Sequence, residues 1–127
     1  MRILIDTNRY TDFANKDPAA VARFLEAEEL IVPFVVLAEL RAGFRSGTLS
    51  RRNEDILARF LSNAKVRPLY PDERTTHVYA DLYALLRSRG TPIPANDIWI
   101  ASLAVQHSLP LYTRDRHFQN IPRLSCI

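Results

Sequence analysis

Four of the fourteen acidic residues in this chain stand where carboxylates do chemistry: Asp6, Glu39, Asp97 and Asp115. Asp6 closes the apolar run Ile3-Leu4-Ile5, and an aspartate that ends a buried strand has no routine structural task. Asp115 lies two residues beyond the run Leu111-Tyr112-Thr113. Asp97 follows the turn Pro94-Ala95-Asn96, and Glu39 has Val35 four residues before it and Ala42 and Gly43 just after. A charge in such small, apolar company is rarely buried without a partner. Taken singly, Asp97 reads as a helix N-terminal acid, Asp115 as a turn residue, and Glu39 as an ion-pair partner of Arg2 or Arg114. Taken together they read as metal chemistry. Two carboxylates about 4 Å apart repel by about 4 kcal/mol at an effective dielectric near 20. Four converging acids would consume much of the ~5–15 kcal/mol that stabilises a typical domain. A hard divalent cation, Mg²⁺ or Mn²⁺, relieves that repulsion with oxygen ligands.

The elements that position these acids follow from hydrophobic periodicity. Residues 2–6 read as a buried first strand, with a short helix from Thr7-Asn8 to about Asn15. Asp17-Pro18 is a cap followed by proline at the first helical position, opening a helix to about Ala27. Residues 30–34 form a second strand, whose Pro33 marks a strand terminus or sheet margin. A helix follows from about Val35 to Arg45, and another is capped by Ser50, with Ile56, Leu57, Phe60 and Leu61 as its buried stripe. Val66 to Leu69 is a short strand interrupted by Pro68. Residues 72–88 form an amphipathic helix with Val78, Leu82, Leu85 and Leu86 inward and Gly90 near its C-terminal cap. Tyr79, Tyr83 and Arg87 mark its outer face, a candidate contact for a second copy. Asn96 caps a largely buried helix from Asp97 to His107. Residues 111–113 make a fourth strand, and 124–127 a fifth. Strands alternating with helices argue for an α/β fold with a parallel sheet. In such sheets ligands bind beyond the carboxyl ends of the strands, and all four acids fall at that edge. The other acids, Asp12 among them, read as helix caps or solvated charges.

Composition narrows the classes further. The 127 residues fit one domain, 1–127, with 47% apolar and 24% charged residues, as in ordinary globular proteins. No apolar run approaches the length of a membrane span, and Met1-Arg2 leads straight into a strand rather than a signal peptide. With one cysteine, Cys126, no internal disulfide forms, and the expected compartment is the reducing cytoplasm. His77, His107 and His117 are scattered, without zinc-type spacing. The net charge is +3 with a pI near 9.4, and only Lys16 and Lys65 among 17 basic residues are lysine. That arginine bias suits a phosphate-bearing partner and equally suits genomic base composition. The three glycines, Gly43, Gly47 and Gly90, lie far from strand one, which excludes a glycine-rich nucleotide loop there. Asn8 stands where an aspartyl-phosphate phosphatase carries its second aspartate, and neither lysine lies where a phosphorelay receiver needs one.

The stretches Ile5-Asp6-Thr7-Asn8, residues 32–43 (Val-Pro-Phe-Val-Val-Leu-Ala-Glu-Leu-Arg-Ala-Gly), Pro94-Ala95-Asn96-Asp97-Ile98-Trp99-Ile100-Ala101 and residues 111–118 (Leu-Tyr-Thr-Arg-Asp-Arg-His-Phe) follow one another in an order and spacing that resembles the PIN-domain family, specifically its VapC-like toxins. The resemblance spans the chain and keeps every acidic position. It implies a three-layer α/β/α sandwich around a central, mainly parallel sheet of four or five strands. It also implies a Mg²⁺- or Mn²⁺-dependent endoribonuclease acting as the toxin of a toxin–antitoxin pair. Asp6 and Asp97 would be the main metal ligands, Glu39 a further ligand or water-orienting group, and Asp115 the fourth acid. Thr7, Asn8, Asn96 and Thr113 would support the loops that carry them. Arg41, Arg45 and Arg114, with Arg51 and Arg52 nearby, are candidate phosphate contacts. The expected partners are RNA, a second copy of the chain, and an antitoxin whose C-terminal arm fills the active-site groove. A PIN nuclease directed at DNA or ribosomal RNA, and a silent RNA-binding module of the same fold, are the competing readings.

Overall fold

The computed structural model describes residues 1–127. Four parallel strands, β1 (Arg2–Ile5), β2 (Glu29–Pro33), β3 (Val66–Leu69) and β4 (Leu111–Tyr112), form one sheet in the order β3-β2-β1-β4. Helices cover both faces, so Ile3, Leu4, Ile5, Leu30, Ile31 and Val32 are all buried, in unbroken apolar runs rather than an alternating pattern. Pro68 sits in β3, an edge strand, where a missing N–H is tolerated. Pro33 ends β2 and serves directly as the N-cap of the next helix.

The helices are α1 (Thr7–Ala14), α2 (Pro18–Glu26), α3 (Phe34–Ser46), α4 (Ser50–Leu61), α5 (Glu73–Ser88) and α6 (Ala95–Gln106). Aromatic contacts sort them into two groups. Tyr10, Phe13, Phe24 and Phe60 join α1, α2 and α4, and Phe24 also meets Tyr112 of β4. Phe34, Tyr79 and Trp99 join α3, α5 and α6. The result is the expected α/β/α sandwich. Helix α6, apolar on most sides, is its central piece, with Ile98, Ile100, Ala101, Ser102, Leu103 and Ala104 all buried.

Several local expectations hold. Asp17 accepts from the Ala20 N–H ahead of Pro18, and Asp72 forms a reciprocal capping box with Thr75. Gly90, at φ +69°, takes the left-handed position just past α5. Others are corrected. Ser50 is the first residue of α4 rather than its cap; Leu49 holds the cap position and no side chain caps it. Asn96 likewise lies inside α6, behind Pro94 at the cap, which frees its amide for another partner. The expected fifth strand is a single parallel bridge, Leu111 to Cys126. Arg123, at φ +66°, turns the chain three residues before that bridge, and the pairing is confined to residues 125–127. Tyr79 is half-buried, 4.3 Å from the Trp99 ring, so only Tyr83 and Arg87 of that face stand exposed.

Candidate functional site

The register of β1 against β4 builds the first part of the site. Ile5 pairs with Tyr112, so the next residues, Asp6 and Thr113, leave the sheet side by side. Asp6 becomes the N-cap of α1: one carboxylate oxygen accepts from the Arg9 N–H at 2.9 Å, and the other accepts from the Thr113 hydroxyl. It is 5% exposed. Burial raises its pKa above the ordinary aspartate value even against those two hydrogen bonds and the nearby Arg9 charge, and the Asp115 charge pushes the same way. A strand-ending aspartate thus acts both as helix cap and as a buried anion.

Glu39 enters from α3, in the second turn beyond β2. Thr7 donates to one of its oxygens at 2.6 Å and the Asn96 amide to the other at 3.4 Å. The ion pairs foreseen as its ordinary explanation do not form, because Arg2 pairs with Glu29 and Arg114 with Asp12. Asp97 sits in the first turn of α6, and its pKa is raised, first by burial and then by the charges of Asp115 and Glu39. Asp115 caps a short 3₁₀ turn, Arg116–Asn120, accepting from the His117 N–H at 2.9 Å, while its own N–H donates to Thr113 Oγ1 at 3.0 Å. The four acids therefore arrive from four different points of the chain. They line a single pocket of about 210 Å³, together with Thr7, Asn8 and Ile100. Thr113 hydroxyl contacts reach both Asp6 and Asp115, so the threonine links two of them.

Three residues that matter here were not singled out by the sequence. His117 points Nδ1 at Asp97 and at Asp115, 3.3 Å from each. Its signal was positional: two residues after an acid, in a tight turn, it folds back over that acid. Asp12 is no solvated charge. It accepts from both Nε and Nη2 of Arg114 at 3.1 Å and from Arg9 at 3.3 Å, and Arg114 holds its pKa below the usual range. The guanidinium of Arg9 lies 4.2 Å over the Tyr112 ring. Of the candidate phosphate contacts, Arg114 is engaged with Asp12, Arg41 is paired with Glu54 at 3.2 Å, and exposed Arg45 reaches only the Arg41 carbonyl.

No arginine or lysine lines the pocket, and the Arg9 charge beside Asp6 does not offset the burial that raises that acid. Oxygen donors in excess, raised acids and hydroxyl or amide groups holding them in place form a donor set that fits a hard divalent cation. Asp97, Asp115 and His117 bring one potential ligand atom each to within 4.8 Å of one another.

Similarity to known proteins extends over nearly the whole chain. Ribonuclease VapC2 of Rickettsia felis is 30% identical over 129 residues, covering 98% of this chain and 95% of that protein. The crystal structure of VapBC2 from Rickettsia felis bound to a DNA fragment from their promoter superposes with a TM-score of 0.89 at 28% identity, covering all of this chain and 98% of its counterpart. VapBC-5 of Mycobacterium tuberculosis, a member of the VapBC family of toxin–antitoxin systems, superposes at 0.73 with 26% identity, over 99% and 97% of the two chains. The PIN domain family model matches residues 3–124, from the strand that delivers Asp6 to beyond the turn that delivers Asp115. With that match and those strand-end acids, the chain belongs to the PIN domain family.

Proposed function

We propose that this chain is a Mg²⁺- or Mn²⁺-dependent endoribonuclease and the toxin of a toxin–antitoxin pair, folded as one domain over 1–127. One observation carries the reading: Asp6, Glu39, Asp97 and Asp115 share one pocket at the carboxyl edge of a parallel sheet, with no basic side chain lining it. Asp6 and Asp97 would hold the cation, Glu39 and Asp115 completing the set directly or through water. When bound, a divalent cation neutralises phosphate charge and acidifies water. Around it, Thr113 fixes the Asp6 carboxylate, Thr7 and Asn96 fix Glu39, and Asn8 lines the pocket beside Asp6. Water attacks phosphorus and gives a proton to a carboxylate not engaged by the cation, the bond to a ribose oxygen breaks, and that oxygen leaves as a hydroxyl by taking a proton from solvent. Arg41, Arg45 and Arg114 remain the proposed phosphate contacts, Arg41 and Arg114 by exchanging their present carboxylate partners for RNA.

The toxin role rests on relatives that are named as VapC ribonucleases and VapBC complexes. An antitoxin arm over the acidic pocket, a homodimer and a cytoplasmic setting belong to the same reading; no helix is long and apolar enough to cross a membrane. The test is cleavage of a mixed RNA substrate with and without Mg²⁺ or Mn²⁺. RNA cutting that needs the ion, exceeds DNA cutting and falls at least about a hundredfold in Asp6→Asn supports the proposal. Preferred DNA cutting, or tight RNA binding without turnover, overturns it.

A further inference from the structure

His117 differs from the other two histidines, which lie exposed on α5 (His77) and at the end of α6 (His107). Its ring is not a core side chain, being 53% exposed. Its place is set by the backbone: its N–H is held by Asp115, and the next residue, Phe118, is buried and anchors the turn. That scaffold aims one nitrogen at two acids from separate elements, α6 and the 3₁₀ turn.

We propose that His117 is a ligand of the cation site, its Nδ1 acting beside Asp97 and Asp115, and that it biases the site toward a transition ion such as Mn²⁺ over Mg²⁺. This rests on the cation reading above. Mg²⁺ favours oxygen donors and retains much of its water, whereas first-row transition ions accept an imidazole nitrogen readily. A site built from carboxylates alone would not discriminate in this way. The three ligand atoms already lie within 4.8 Å of one another, Asp97 in the first turn of α6 and His117 on a turn capped by Asp115, so little ordering is needed on binding.

The experiment uses the full chain and Mn²⁺ or Mg²⁺ alone, without RNA. Pulsed electron paramagnetic resonance of bound Mn²⁺ should show nitrogen coupling from a directly bound imidazole, absent in His117→Ala. Loss of an outer partner of a metal ligand typically costs about 10–100-fold in affinity. Loss of a direct ligand should therefore weaken Mn²⁺ by at least about tenfold in calorimetric titration, with Mg²⁺ affinity nearly unchanged. The alanine variant keeps the backbone N–H that Asp115 caps and alters an exposed position, so folding is retained. His117→Gln keeps a hydrogen-bond donor; it should behave like His117→Ala. Mn²⁺ bound without nitrogen coupling, or a glutamine variant equal to wild type, overturns the ligand role and leaves the cation site standing. No Mn²⁺ binding at all overturns both.

Discussion

Asp97 shows what the proposed cation site would cost at a single residue. Burial and the neighbouring charges of Asp115 and Glu39 raise its pKa, so the ionised form is disfavoured in the folded, metal-free protein. Asp97→Asn should therefore raise the thermal midpoint measured in a chelator at neutral pH. The same variant should lose most of the stabilisation that Mn²⁺ gives the wild type. Calorimetric melts of both proteins, with and without ion, check both signs; a variant less stable than wild type in chelator would mean that Asp97 serves chiefly as an N-terminal helix acid. At this scale the acids were legible, because strand ends and first helical turns are visible in hydrophobic periodicity. His117 was not, since its value depends on a 3₁₀ turn folding it back onto Asp97, twenty residues earlier. Asp12 was not either, because its partner Arg114 is distant in sequence and close only once β4 is docked beside β1.

Helices α1 and α6 and the turn after β4 must keep fixed relations for the pocket to exist. The fork from Arg114 to Asp12 ties that turn to α1, in addition to the Thr113 contact with Asp6. Asp12 has a lowered pKa in the folded state, so its contribution is present in full above the ordinary aspartate range. It is lost as pH falls through the lowered folded value. Asp12→Asn should flatten that part of the acid limb of a stability-against-pH curve followed by circular dichroism, and leave stability above neutral pH reduced by a constant amount. An unchanged acid limb would assign the pair no net role, as for many exposed ion pairs. Element boundaries were readable to within a residue or two; the caps were less so. Ser50 and Asn96 are the side chains that capping preference selects, yet Leu49 and Pro94 hold those positions. At α6 the preference was overridden because the Asn96 amide has a tertiary acceptor, Glu39, which local sequence does not display.

For the whole molecule, the parallel sheet and its helical layers were evident from alternating strands and helices, but the order β3-β2-β1-β4 was not. That order is set by pairings between residues far apart in the chain, such as Leu4 with Leu111, and periodicity carries no record of them. The architecture gathers negative charge at one edge, so an ion bound there stabilises the fold by mass action. At about a hundred times its Kd the gain is ~2.7 kcal/mol, several degrees in midpoint for a chain of this size. A thermal melt unchanged across millimolar Mg²⁺ and Mn²⁺ would remove the basis for a cation site.

The sheet has two outer margins, and each is closed differently. Pro68 interrupts the row of donors along β3, while the last residues cover β4: Leu111 donates to the Ser125 carbonyl, Ile127 donates back to Leu111, and the Ile127 carbonyl holds the Thr113 N–H. Unpaired strand margins recruit other chains. Trimming residues 125–127 would thus do two things at once. It would bare a ladder for intermolecular zipping, and it would slacken the threonine that steadies Asp6, so that self-association and loss of the pocket would arrive together.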